Sequence, residues 1–194
     1  TSSAAMQMAQ IGRPWLAYDI SDSALALGLV TAAQGLPQIF SSPFGGLAAD
    51  RLPKRTVLLI SQLVLLVMFG TMAAIVLFGI VEVWMLVALA FVHGVTIPFN
   101  NPVRQAYIPI LLPRPLLANG VALHASARNF NQVTAPAIVG VLLQIEPFIA
   151  FATTAGLHLV STAFVIRLPQ VRPVTKDGTG LKGELLMGAS YVAT

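Results

Sequence analysis

Polar and charged positions are few along this chain, and they bunch, leaving long apolar stretches between them. Residues 23–49, 56–81, 83–103 and 147–166 carry no Asp, Glu, Lys or Arg, and residues 115–145 carry only Arg128. A hydrocarbon core about 30 Å thick is crossed by roughly 20 helical residues, and each of these runs is long enough. Residues 1–18 are apolar enough for most of a further span, with Arg13 inside it. The pattern predicts an all-α membrane protein with helices over about 1–18, 23–49, 56–81, 83–103, 115–145 and 147–167, the first short of its opening turns. Residues 1–168 would form one transmembrane bundle, and residues 169–194 a cytoplasmic stretch after it. Pro37, Pro98 and Pro136 fall inside spans, where prolines are tolerated if neighbours re-satisfy the freed carbonyls; they read as packing kinks.

Composition removes the soluble alternatives. Charged residues make up 9% of the chain, against about 25% in soluble domains, and the mean hydropathy is +0.81. A cytosolic enzyme or a disordered chain is excluded. The net charge of +4 would suggest nucleic acid as a partner, but the basic residues sit in short clusters between spans. There they read as membrane-flanking charges, so no nucleic acid is expected. The loops alternate in sign: Asp19 and Asp22, then Arg51, Lys54 and Arg55, then Glu82, then Arg104 and Arg114, then Glu146, with Arg167 and Arg172 beyond. Lys and Arg stay on the cytoplasmic side, which places the acidic loops outside. Trp15, Tyr18 and Trp84 next to those loops suit the interface. There is no cysteine, hence no thiolate nucleophile or thiolate metal site, and no metal is expected.

Within the spans, the polar residues fall at helical spacing. At 100° per residue, Thr31, Gln34, Gln38 and Ser41 share one face of the second helix; His93, Thr96, Asn100 and Arg104 share one of the fourth; His124, Arg128 and Asn131 share one of the fifth. Polar groups in lipid are costly and should face protein or a wet pathway. Gln34, Gln38, His93, Asn100, His124, Arg128 and Asn131 are therefore candidate cavity-lining residues. The third span, with Ser61, Gln62 and Thr71 as its evident polar positions, reads as lipid-facing. His158 reads as packing. Arg13 is six residues from Asp19 and is expected to snorkel to the outer interface. No carboxylate lies within a span interior, so the coupling group of a proton-driven transporter is not apparent here.

The most specific stretch is Gly45-Gly46-Leu47-Ala48-Ala49-Asp50-Arg51-Leu52-Pro53-Lys54-Arg55. It resembles the loop between helices two and three of the major facilitator superfamily, Gly-x-x-x-Asp-Arg-x-Gly-Arg/Lys-Arg. Gly46, Asp50, Arg51, Lys54 and Arg55 fall on the pattern, and Pro53 replaces its second Gly. Gly46 is expected to permit close helix approach. Together with Arg104 these residues form the candidate gating loop motif. The stretch from Trp15 to Asp19, Asn101-Pro102-Val103-Arg104-Gln105-Ala106, and Leu117-Ala118-Asn119-Gly120-Val121-Ala122-Leu123 resemble the drug:proton antiporter-3 group. That group contains the transmembrane secretion effectors and the macrolide-efflux-like and enterobactin-exporter-like proteins. Thr134 to Gly140 resembles a fifth-helix exporter element in which Ala135 and Val139 replace glycines, and Leu185 to Val192 resembles the lead-in to a seventh helix.

The resemblance implies the N-terminal six-helix half of a secondary transporter of the bacterial cytoplasmic membrane, built from inverted three-helix repeats with the site near the midplane. It implies efflux of a drug-like or siderophore-like small molecule by alternating access, with no cofactor and a proton gradient as energy source. Its partners would be the small-molecule substrate, membrane lipid and the absent C-terminal six-helix half. An importer of the same superfamily and a non-transporting membrane sensor or assembly protein are the alternatives. No His-Glu-x-x-His pair or phosphate-cradling loop is present, so catalysis is not expected.

Overall fold

A computed structural model describes residues 2–169, apart from the side chains of Ser2, Ala49, Asp50 and Arg51. The expected lead-in at Leu185 to Val192 lies outside the described residues. Among these there is no strand. The order is α1 (Ser2–Ser21), α2 (Ala24–Arg51), α3 (Lys54–Leu77), α4 (Val83–Ala106), the single turn α5 (Ile108–Leu111), a 3₁₀ turn (Arg114–Leu116), α6 (Leu117–Ile145) and α7 (Pro147–Ile166).

Local chemistry sets the boundaries. The third helix ends at Leu77 rather than residue 81 because Gly79 takes φ +66°, a conformation that costs glycine nothing. Its amide donates to Val76 O at 3.1 Å and the Ile80 amide to Ile75 O at 3.1 Å, the paired bonds of a Schellman motif. After α4, Pro109, Pro113 and Pro115 allow only short turns, since proline lacks a donor and clashes with the preceding turn. Pro14, Pro37, Pro43, Pro98, Pro102 and Pro136 all sit inside continuous helices.

Among the described residues, four segments are long and apolar enough to cross a membrane by themselves: Ala24–Ala48, Lys54–Leu77, Val83–Leu111 and Pro147–Ile166. The helix expected over residues 115–145 forms as α6. Both α1 and α6 have the length but not the hydropathy, because each devotes one face to polar residues.

Packing brings the loops together by charge. One buried cluster joins Leu16, Ala26, Met72, Leu86, Leu143 and Phe151 near the acidic loops, and another joins Val57, Leu58, Val103, Tyr107 and Val165 near the basic ones. Between them lie Ala9, Leu65, Met68 and Phe69. The most extensive helix pair is α2 with α4, followed by α3 with α7. Glycine permits the first: a Cβ on Gly94 would overlap the backbone carbonyl of Gln34, and one on Gly45 that of Pro98. The close approach expected of Gly46 belongs instead to Gly45, for a Cβ on Gly46 would meet nothing within 4 Å.

Helix α3 corrects a further expectation. Only one face, with Ile60, Leu63 and Val67, is exposed; Ser61 and Gln62 are buried against α4 and α7. Leu36, Ile39, Phe40 and Phe44 on α2 and Val121, Leu123, Phe130 and Val133 on α6 are exposed, an apolar extent that water would not tolerate on a soluble monomer.

Candidate functional site: a polar cleft and a buried arginine

The second half of α6 is the part with buried residues, Ala135, Val139 and Leu143. Its first half stands away from the bundle, and a cleft of about 470 Å³ opens between α1, α4 and α6. Ser3, Gln7 and Gln10 line it from α1, Asn101, Arg104 and Gln105 from α4, and His124, Arg128 and Gln132 from α6. Positions 3, 7 and 10 recur at helical spacing and present one face. Asn131 Nδ2 donates to Ser3 Oγ at 2.7 Å, tying α6 to α1 beside the cleft. Among the described residues, two arginines and five carboxamides line the space and no carboxylate does, so the field they set up is positive. Arg128 is exposed into it and His124 half-buried. The carboxamides of Gln7, Gln10, Asn101, Gln105 and Gln132 were not among the expected lining residues. The spacing of Ser3, Gln7 and Gln10 is the signal in the sequence that could find this face.

Other candidates lie elsewhere. Thr31, Ser41 and Thr96 donate to the carbonyls four residues back in their own helices, at 2.9, 2.6 and 2.7 Å, which satisfies them locally. Gln38 is exposed on α2, outside the cleft. Asn100 is fully buried and donates to Ser61 Oγ at 3.0 Å. His93 is fully buried too, and so is the Arg13 expected to snorkel. That expectation fails because α1 turns Arg13 inward, where acceptors from three other helix positions converge. Its Nε donates to Ala9 O at 3.3 Å, Nη1 to Leu89 O at 3.3 Å, and Nη2 to Gln34 Oε1 at 3.0 Å and to His93 Nδ1. Gln34 thus holds Arg13 from α2.

Phe69 stands at the centre of this layer. The guanidinium carbon of Arg13 is 5.8 Å from its ring centroid, within cation–π range. His93 meets the ring edge-on at 5.7 Å and His158 stacks on it at 5.2 Å. His158 Nδ1 donates to Gln62 Oε1 at 2.9 Å, and Gln62 Nε2 to Ser161 Oγ at 3.2 Å, a packing arrangement for His158.

At the basic end, Arg55 Nη2 donates to Ile166 O at 2.5 Å. This places a cation on the carbonyl end of α7, where helix dipoles favour positive charge. Tyr107 Oη donates to Pro169 O at 3.2 Å. Arg104 lines the cleft and also a second, mostly apolar groove of about 560 Å³ between α4, α5, α6 and α7.

The transmembrane secretion effector family matches residues 1–192. The chain belongs to that family of the major facilitator superfamily. That family is one of membrane transporters rather than enzymes, and the long apolar helices fit a multi-pass membrane protein. The chain is 21% identical over 173 residues to macrolide efflux protein A of Streptococcus pyogenes, covering 88% of this chain and 42% of the relative. It is 19% identical over 139 residues to macrolide efflux protein A of Enterococcus faecalis, covering 70% and 43%. It is 25% identical over 137 residues to the staphyloferrin A transporter of Staphylococcus aureus, covering 70% and 34%. The chain therefore spans about two fifths of the length of the curated relatives it matches. For a transmembrane secretion effector, the six long helices among the described residues fit the N-terminal half of the fold.

Proposed function

We propose that this chain forms one half of a secondary transporter that moves a small molecule out of the bacterial cytoplasm by alternating access. The cleft between α1, α4 and α6 is its share of the substrate pathway. The observation that carries the reading is Arg128, exposed into a carboxamide-lined cleft with no carboxylate among the described residues of its walls. Guanidinium presents a planar fork of donors suited to carboxylate and other oxyanionic groups, and the carboxamides offer both donors and acceptors to the rest of a polar molecule. Gln7, Gln10, His124, Arg128 and Gln132 are the substrate-facing residues on this reading, with Asn131 holding α6 to α1. Efflux is favoured over import by the relatives named for it. Drug-like macrolides and carboxylate siderophores are the substrates to try first, with the proton gradient as driving force and no cofactor. The loop carrying Gly46, Asp50, Arg51, Lys54 and Arg55, with Arg104 beside it, is proposed to stabilise one gating state. Arg55 would do so by gripping the end of α7.

The test is transport by the full-length protein in everted membrane vesicles, using a radiolabelled macrolide and a ferric carboxylate siderophore. Arg128→Lys keeps the charge but loses the fork and should lower transport partially, whereas Arg128→Ala should abolish it at unchanged membrane abundance. Reduced abundance of Arg128→Ala with unchanged substrate affinity in the surviving protein would assign Arg128 a structural role and refute the reading.

A further inference from the structure

Arg13 is a permanent cation buried at 0% exposure, and no carboxylate among the described residues meets it. Among the described residues, Asp19, Asp22, Glu82 and Glu146 are all exposed at helix ends. The charge is instead held by neutral acceptors. A guanidinium has no lone pair to offer, so its hydrogen bond to His93 Nδ1 requires that nitrogen to be unprotonated. The ring proton then sits on Nε2, which is buried and finds no partner among the described residues. Every other acceptor around Arg13 is a carbonyl or carboxamide that no physiological pH alters. His93 is the one partner that can exchange a proton.

The groups facing His93 are few. From α1 it meets Arg13; α2 offers the uncharged Gln34, α3 the uncharged Phe69, and α5 has no titratable residue. On its own helix, Glu82 and Arg104 lie about three turns away in either direction, and His158 of α7 lies beyond Phe69. A proton arriving on Nδ1 would occupy the lone pair that accepts from Arg13 and set two cations against each other. Glycine fixes which helix yields. Gly94, next to His93, is seated on the backbone of Gln34, so α2 and α4 are locked together and the displacement falls on α1. Arg13 follows Gln10 by one turn, at the end of the Ser3, Gln7 and Gln10 stripe that lines the cleft.

We propose that His93 is the proton-binding site of this half, and that a proton on its Nδ1 drives Arg13 and α1 away from α4, so that protonation and the shape of the cleft are linked. Linkage is reciprocal: whatever the cleft binds with α1 displaced would raise the proton affinity of His93. The purpose of this device rests on the transport reading, but its test needs no substrate, so either can fail alone.

The experiment uses the full-length protein in lipid nanodiscs with spin labels on cysteines placed at Ile20 and Ala88, both exposed. The α1–α4 distance distribution is followed by pulsed electron spin resonance between about pH 4 and 8, because burial and the neighbouring Arg13 cation both oppose a charge on His93 and call for a more acid range than a free histidine needs. The wild type should gain a longer-distance population at low pH. His93→Gln keeps a neutral acceptor for Arg13 and should lose the response, as should Arg13→Gln, which removes the repelling cation. His158→Gln should retain it. A wild-type distance constant over the range would overturn the proposal, as would an undiminished response in His93→Gln. Should His93→Gln fail to fold, Arg13→Gln carries the same decision.

Discussion

Replacing Gly94 by Ala puts one methyl group where α4 touches the backbone of α2. The added Cβ would overlap the carbonyl oxygen of Gln34 and lie 2.9 Å from its carbonyl carbon and 3.1 Å from its Cα. All three atoms are helix backbone, so no side chain can turn aside and the two helices must separate. Overpacking of this kind costs about 1–3 kcal/mol. Alanine returns up to about 1 kcal/mol through its greater helix preference, so the substitution needs a reference. Gly70→Ala supplies one, since its Cβ would meet nothing within 4 Å and it feels only the preference. A gap of about 2 kcal/mol between the two variants corresponds to roughly a 30-fold difference in the folding equilibrium. The assay is fluorescence-detected gel filtration of heated, detergent-solubilised full-length protein, comparing the temperatures at which half the monodisperse peak is lost. Gly94→Ala should fall clearly below Gly70→Ala. Gly45→Ala should behave like Gly94→Ala, and the double variant should lose less than the sum, because helices already parted by one methyl accommodate the second. Equal midpoints for Gly94→Ala and Gly70→Ala would refute the close α2–α4 approach.

Two further outcomes are expected. Gln62→Leu removes the acceptor of His158 Nδ1 and the donor to Ser161 Oγ; leaving buried polar groups unpaired costs about 1–3 kcal/mol, so thermal stability should drop, and an unchanged midpoint would remove the network from the account of the core. For orientation, cysteines introduced at Ser21 and Thr56, both exposed, are treated in intact cells with an impermeant thiol reagent. Ser21→Cys should label and Thr56→Cys should not, and the reverse result would invert the topology.

The order of helices was readable from the charge-free runs, because charge inside hydrocarbon is costly and a span needs about 20 mostly apolar residues. The loop charges and the Asp50–Arg55 stretch pointed to the superfamily that the family match then established. Helical spacing also picked out His124, Arg128 and Asn131, which do lie together at the cleft or beside it. What periodicity could not reveal is which neighbour each polar face meets. His93, Asn100 and Gln34 sit on faces as polar as that of α6, yet they turn into the bundle, where Ser61 and Arg13 are their partners. Only the tertiary structure decided this, since α1, α3 and α4 come together through contacts between residues as far apart in the chain as Arg13 and His93. Arg13 makes the point most directly. Six residues from Asp19, its position allows an interfacial reading; what buries it is the convergence of carbonyls and a histidine from helices that no local pattern relates. Sequence determines the cost of each polar residue in the membrane, and packing determines where that cost is met.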